Sequence, residues 1–137
     1  MPNWRDELIE AVKTKAEREA EEAEKHRQRV REALTTAEAA LKLGVEALAF
    51  AAERVREKGK EVQLEREPYV ARFTLGPMSL SAELDPATAV IKVSYQDAKA
   101  REFDFARDRH IASGDVEEYL GRRVVELIRA VQKATPW

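Results

Sequence analysis

The chain has 137 residues and no cysteine. That excludes disulfides, thiolate metal sites and cysteine nucleophiles. Glycine and proline are scarce, and between Asn3 and Lys58 the only breaker of either kind is Gly44. No Gly-rich phosphate loop is present. Neither sign of charge dominates: the net charge is −2, with thirteen basic against thirteen acidic residues over 1–60 and eleven against thirteen over 61–137. Nucleic-acid and anionic-membrane binders usually carry a basic surplus, so both classes are disfavoured. No long apolar run exists either. The most apolar window, Ala37 to Ala52, is interrupted by Glu38, Lys42 and Glu46, which fits a buried helix face and not a membrane span. Arg5, Asp6 and Glu7 follow directly after Trp4 and leave no room for the apolar core of a signal peptide. The expectation is a soluble, cytoplasmic protein with no membrane contact.

What the chain does have is one very long helical stretch. A straight helix from Asn3 to about Lys58 would reach roughly 80 Å at about 1.5 Å per residue, against a radius of gyration near ~14 Å for a compact chain of this length. Such a helix must fold back, pair with another chain or reach for a partner. Val30, Leu34, Ala37, Leu41, Gly44, Leu48, Ala51 and Val55 follow one another in steps of four and three, a heptad pattern with the look of a coiled coil. Large and small residues alternate along it, which predicts close, antiparallel helix packing. Ala33, Ala40, Ala47, Val45 and Ala52 widen the stripe enough for more than one neighbour. These eight seam residues are the candidate oligomer interface, and a homodimer is the expected assembly. Before Val30 the seam weakens to Arg27, Ala23, Ala20, Ala16, Lys13 and Ile9. That half is held by helix propensity and charge pairs and reads as a projecting arm. Thr35-Thr36-Ala37-Glu38 fits a capping box and offers a break into a helical hairpin. The heptad passes through it in phase, so we read a continuous helix.

After Gly59 the apolar period changes from helical to two. Val62 and Leu64, then Ala71, Phe73 and Leu75, then Met78, Leu80, Ala82 and Leu84, then Ala89, Ile91, Val93 and Tyr95, then Phe103 and Phe105 alternate with polar residues. Pro68, Gly76-Pro77, Asp85-Pro86 and the polar stretch Gln96 to Lys99 separate them. Short connections predict an antiparallel meander of four to five strands with one buried face. Val116, Leu120, Val124, Leu127, Ile128 and Val131 form the stripe of a last helix, capped by Ser113 or Asp115, that packs on the sheet. The fold class is α+β. The division is a helical oligomerisation arm over 1–60 and a sheet-plus-helix unit over 61–137.

Chemistry is thinly represented. His26 lies in the charged arm and His110 in the loop Arg107-Asp108-Arg109-His110, with no serine or cysteine nucleophile tied to either by a motif. No cofactor or metal site is expected, and no catalytic residue is assigned. Lys25, Arg27, Arg29 and Arg31 ahead of the heptads are the candidate nucleic-acid contacts, in the layout of a basic zipper. Glu19, Glu21, Glu22 and Glu24 stand immediately before them and repel phosphate. Arg122 and Arg123 with Arg107 and Arg109 suggest a second basic patch, diluted by Glu117, Glu118 and Glu126. Trp4, Phe50 and Trp137 either anchor the fold or mark a contact. The leading expectation is a non-enzymatic, self-associating assembly or adaptor protein that binds another protein. A nucleic-acid binder using the basic segment ranks second. A small-ligand-binding domain or enzyme ranks last, for want of convergent polar residues on the apolar strand faces.

Overall fold

The computed structural model describes residues 3–96 and 98–137. It opens with a short helix α1 (Trp4–Ala11) and continues, after a three-residue break, into α2 (Lys15–Glu57). Five strands follow, β1 (Gln63–Glu67), β2 (Val70–Leu75), β3 (Met78–Asp85), β4 (Val90–Tyr95) and β5 (Arg101–Asp104), and the chain ends in α3 (Ser113–Ala134). The sheet is an antiparallel meander in the order β1-β2-β3-β4-β5. The expected α+β architecture is therefore the one observed.

The long helix is broken, but not at the place considered from sequence. Thr35 and Thr36 lie within α2, and the interruption falls at Val12–Thr14. Thr14 Oγ1 accepts from the Glu17 backbone N–H at 3.1 Å, and the Glu17 carboxylate accepts from the Thr14 N–H at 3.4 Å. These reciprocal bonds satisfy two of the N–H groups that every helix start leaves without an intrahelical partner. Asn3 caps α1 by a single bond, its side chain accepting from the Asp6 N–H at 3.0 Å. With 43 residues, α2 is about 64 Å long at about 1.5 Å per residue.

Two-residue turns close the first two hairpins, Pro68-Tyr69 between Glu67 and Val70 and Gly76-Pro77 between Leu75 and Met78. Gly76 takes the positive φ of 57° that such a turn requires. The inward positions are those with the period of two: Phe73, Leu80, Leu84, Ile91 and Val93 are all fully or almost fully buried. Thr74, Ser79, Ser81 and Ser94 on the opposite face are half-exposed and Lys92 is exposed. Of the expected break at Gln96 to Lys99, Asp97 lies outside the described residues, while Gln96 accepts from the Ser79 N–H through its side chain at 2.9 Å.

Both α2 and α3 pack on the sheet and against each other. Gly44 of α2 meets Val116 and Leu120 near the start of α3, and Lys60, just past α2, lies over the Trp137 ring beyond the end of α3. The two helices thus run side by side in the same direction. The antiparallel packing expected from the small seam residues is not what they make. Topology explains it: five antiparallel strands are an odd number, so the chain leaves the sheet at the end opposite to where it entered, and the next helix repeats the direction of the first. Helix α3 also begins earlier than Asp115. Ala112 is its cap residue, and the Asp115 carboxylate, one turn in, accepts from the Ala112 N–H at 2.8 Å.

Residues 30–55 of α2, the five strands and α3 contribute to a single apolar core. Val30 is the first buried residue of α2.

Candidate functional site

The heptad seam is occupied within the chain. Val30, Ala37, Leu41, Gly44, Leu48, Ala51 and Val55 are buried, and Leu34 is half-buried against the same core. Their apolar surplus, which from sequence called for a second chain, is covered by the sheet and by α3. The exposed apolar surface lies elsewhere.

It lies first on the arm. Every residue from Asn3 to Arg29 is exposed except Lys13, which is half-buried. Helix α1 has no buried residue at all. Trp4, Leu8 and Val12 follow one another at four-residue spacing and fall on one face, and Ile9 flanks it. All four are 52–67% exposed. Asp6, Glu7 and Glu10 take the other face. A helix so divided exposes the stripe that globular helices normally bury. Polar bonds hold it at the tip of α2. Lys13 reaches Glu10 at 2.6 Å and Glu21 at 2.8 Å, and Arg18 donates to the Glu10 carbonyl at 2.9 Å. The hydrogen bond it donates to Glu10, and then that to Glu21, holds the Lys13 ammonium above its ordinary pKa; the bond accepted from Lys13 in turn holds Glu10 below its own.

The four basic residues proposed for nucleic acid do not act as a set. Arg27 and Arg31 both donate to Glu24, at 2.7 and 3.1 Å. Arg27 first, then Arg31, keeps the Glu24 carboxyl below its usual range. Arg29 makes no ion pair among the described residues and borders a depression on the body instead.

The second basic patch also divides. Arg122 pairs with Glu118 at 2.7 Å and Arg123 with Glu126 at 3.0 Å. Arg123 also stacks on the Tyr119 ring, which Arg101 covers too, at 5.0 and 5.5 Å. Arg107 and Arg109 face the other way. With Asp108, His110, Arg29 and His26 they line a depression of about 470 Å³ between the β5–α3 loop and α2. Nothing in the sequence linked the two histidines, which lie 84 positions apart; only the return of the loop to α2 brings them to one place. Among the described residues no group of three or more His, Asp or Glu side chains is placed to hold a metal ion.

The aromatic residues separate by role. Trp137 is 40% exposed, with the Lys60 ammonium 6.0 Å from its ring centre. Trp4 is 65% exposed, with the Arg5 guanidinium over its ring at 5.2 Å. Phe50 is 61% exposed on α2 with Arg54 over its ring at 4.9 Å. Both sheet edges are guarded by charge, Glu65, Arg66 and Glu67 on β1 and Arg101, Glu102 and Asp104 on β5, which discourages pairing of a foreign strand.

No family model, curated protein or solved structure matches this chain. No helix among the described residues is long and apolar enough to cross a membrane.

Proposed function

We propose that this is a non-enzymatic, cytoplasmic assembly or adaptor protein that self-associates, and engages another protein, through the apolar face of α1. One observation carries the reading. Trp4, Leu8, Ile9 and Val12 stand exposed together on a capped helix at the end of an arm that contributes nothing to the core before Val30. A chain gains no stability of its own from displaying that face. An amphipathic helix with anchors at four-residue spacing is a common recognition element for a groove or for a second such helix, and tryptophan is frequent among interface hot spots. The seam identified from sequence supports the proposal in a changed role: it fixes α2 to the body so that the arm is presented from a rigid base.

The test is sedimentation velocity of the full chain over a range of concentrations, beside Trp4→Glu/Leu8→Glu. The expected wild-type mass exceeds the 15.6 kDa of one chain. The variant is expected to be monomeric with unchanged thermal stability, because the replaced residues are exposed. A wild-type chain that remains monomeric throughout and yields no partner dependent on Trp4 overturns the reading.

A further inference from the structure

The depression shared by α2 and the β5–α3 loop is lined mainly by cationic and imidazole side chains. The chain as a whole is slightly acidic, yet this small site is lined by three arginines and both of the protein's histidines against a single carboxylate, Asp108. That carboxylate is already engaged, since Asp108 Oδ1 accepts from the His110 backbone N–H at 2.9 Å. Most guanidinium groups of this protein are paired with a neighbouring acid or stacked on a ring, as at Arg27, Arg31, Arg54, Arg101, Arg122 and Arg123. Arg29 and Arg109 have no such partner among the described residues, and Arg107 holds only a long contact of 3.6 Å with Asp104.

The loop that carries three of these side chains is well fixed. Asp104 Oδ1 accepts from the Arg107 N–H at 3.1 Å, and the Asp108 N–H donates to the Asp104 carbonyl at 2.9 Å. Its opposite wall is α2 at His26 and Arg29, one turn before Val30 enters the core. The cations are therefore assembled by two braced elements.

We propose that this depression binds a phosphate group, free or carried on a small molecule. The guanidinium fork matches a tetrahedral oxyanion through paired N–H donors, and an imidazole adds an N–H donor in either protonation state. The extent of positive charge limits the ligand. Across His26 and Arg107 the adjoining depression is lined by Glu83, Asp85, Glu102 and Asp104, which repel a long polyanion. A single phosphate or diphosphate fits the site, and a nucleic-acid strand does not.

The two histidines make the site observable, because they are the only ones in the chain. The 137-residue chain, with its histidines isotopically labelled, is titrated at fixed pH and ionic strength with inorganic phosphate, with pyrophosphate, with a nucleoside diphosphate and with short duplex DNA, using chloride as the reference salt. Both imidazole signals are expected to move along one saturating curve with phosphate or pyrophosphate. A tighter curve with the nucleoside diphosphate assigns the phosphate to a small-molecule carrier, and an equal one assigns it to the free anion. Arg29→Gln/Arg109→Gln should weaken the response at least about tenfold, the usual effect of losing charge-assisted hydrogen bonds; Arg129→Gln, on α3, should leave it unchanged. No response beyond that to chloride, a response undiminished in the double variant, or a response to DNA alone overturns the proposal.

Discussion

Gly44 of α2 faces Leu120 of α3 so closely that a Cβ at position 44 would stand 2.6 Å from Leu120 Cδ1. Real Cβ atoms do not approach another heavy atom to that distance, and Leu120 is fully buried, with little freedom to withdraw. Gly44 therefore sets the spacing of the helix layer. Gly44→Ala gains about 1 kcal/mol of helix propensity but overpacks the core, which typically costs about 1–3 kcal/mol. A net loss of about 1 kcal/mol is expected in chemical denaturation. In a Leu120→Ala background the same change should become neutral or stabilising, since the clash is removed.

The seam residues should behave as core and not as interface. Leu48 and Leu127 are fully buried in one chain. Leu127→Ala should cost about 2–5 kcal/mol, as large-to-small core changes do. Leu41→Glu/Leu48→Glu should unfold the body, because it places two carboxylates in an apolar layer. Circular dichroism distinguishes this from simple dissociation: a folded monomer of that variant would return the seam to an intermolecular role.

The cap at Thr14 is a local element and its loss should have a local effect. Thr14→Ala removes the bond to the Glu17 N–H, worth about 1 kcal/mol at a helix start. No arm residue before Val30 is buried, so the global melting temperature should scarcely change. Amide exchange at Arg18 to Glu21 should instead accelerate. A change in the melting of the sheet would show that the arm is coupled to the core.

The fold was legible in the sequence wherever one period governed a whole element. The strand alternation from Ala71 to Phe105 and the stripe from Val116 to Val131 required nothing beyond the pleat and the helical turn. The break at Thr14 was missed although Thr14-Lys15-Ala16-Glu17 has the same capping-box spacing as Thr35 to Glu38. The two boxes differ in tertiary context. Around Thr35 the neighbouring seam residues are held in the core and the helix continues, whereas around Thr14 nothing is buried and the local bonds decide. The partner of the seam was illegible for a related reason. A heptad states that a face must be covered, and α3 of the same chain covers it as well as a second copy would. The cluster of His26, Arg29, Arg107, Arg109 and His110 had no sequence signal, because it arises only where the loop after β5 returns to α2.

Acidity should loosen the arm before the body. The Arg27 hydrogen bond, then the Arg31 charge, lowers the Glu24 pKa, and Lys13 lowers that of Glu10. A carboxylate whose folded pKa is depressed contributes stability above its unfolded pKa and loses it as pH falls through the folded value. For Lys13, whose pKa is raised, the contribution is complete below the unfolded value and is lost as pH rises through the folded one. Arm helicity should therefore be greatest between the carboxylate and lysine ranges and decline on either side. Backbone chemical shifts of residues 10–31 followed across pH provide the measurement, and a flat profile would show that these exposed pairs contribute nothing.

Duplex DNA should bind weakly at low salt and not detectably near physiological salt. Of the four basic residues of the arm segment, Arg27 and Arg31 are already engaged by Glu24, and Arg29 borders the histidine-lined depression. Lys25 remains, preceded by Glu19, Glu21, Glu22 and Glu24. So few free cations displace few counterions, and phosphate-driven affinity falls steeply as salt rises. A labelled duplex is titrated at both salt concentrations, with Arg27→Glu/Arg29→Glu as the control. A faint low-salt signal that salt abolishes is the expected result. Micromolar binding that persists at physiological salt and disappears in the control would make the arm a nucleic-acid element and displace the assembly reading of α1.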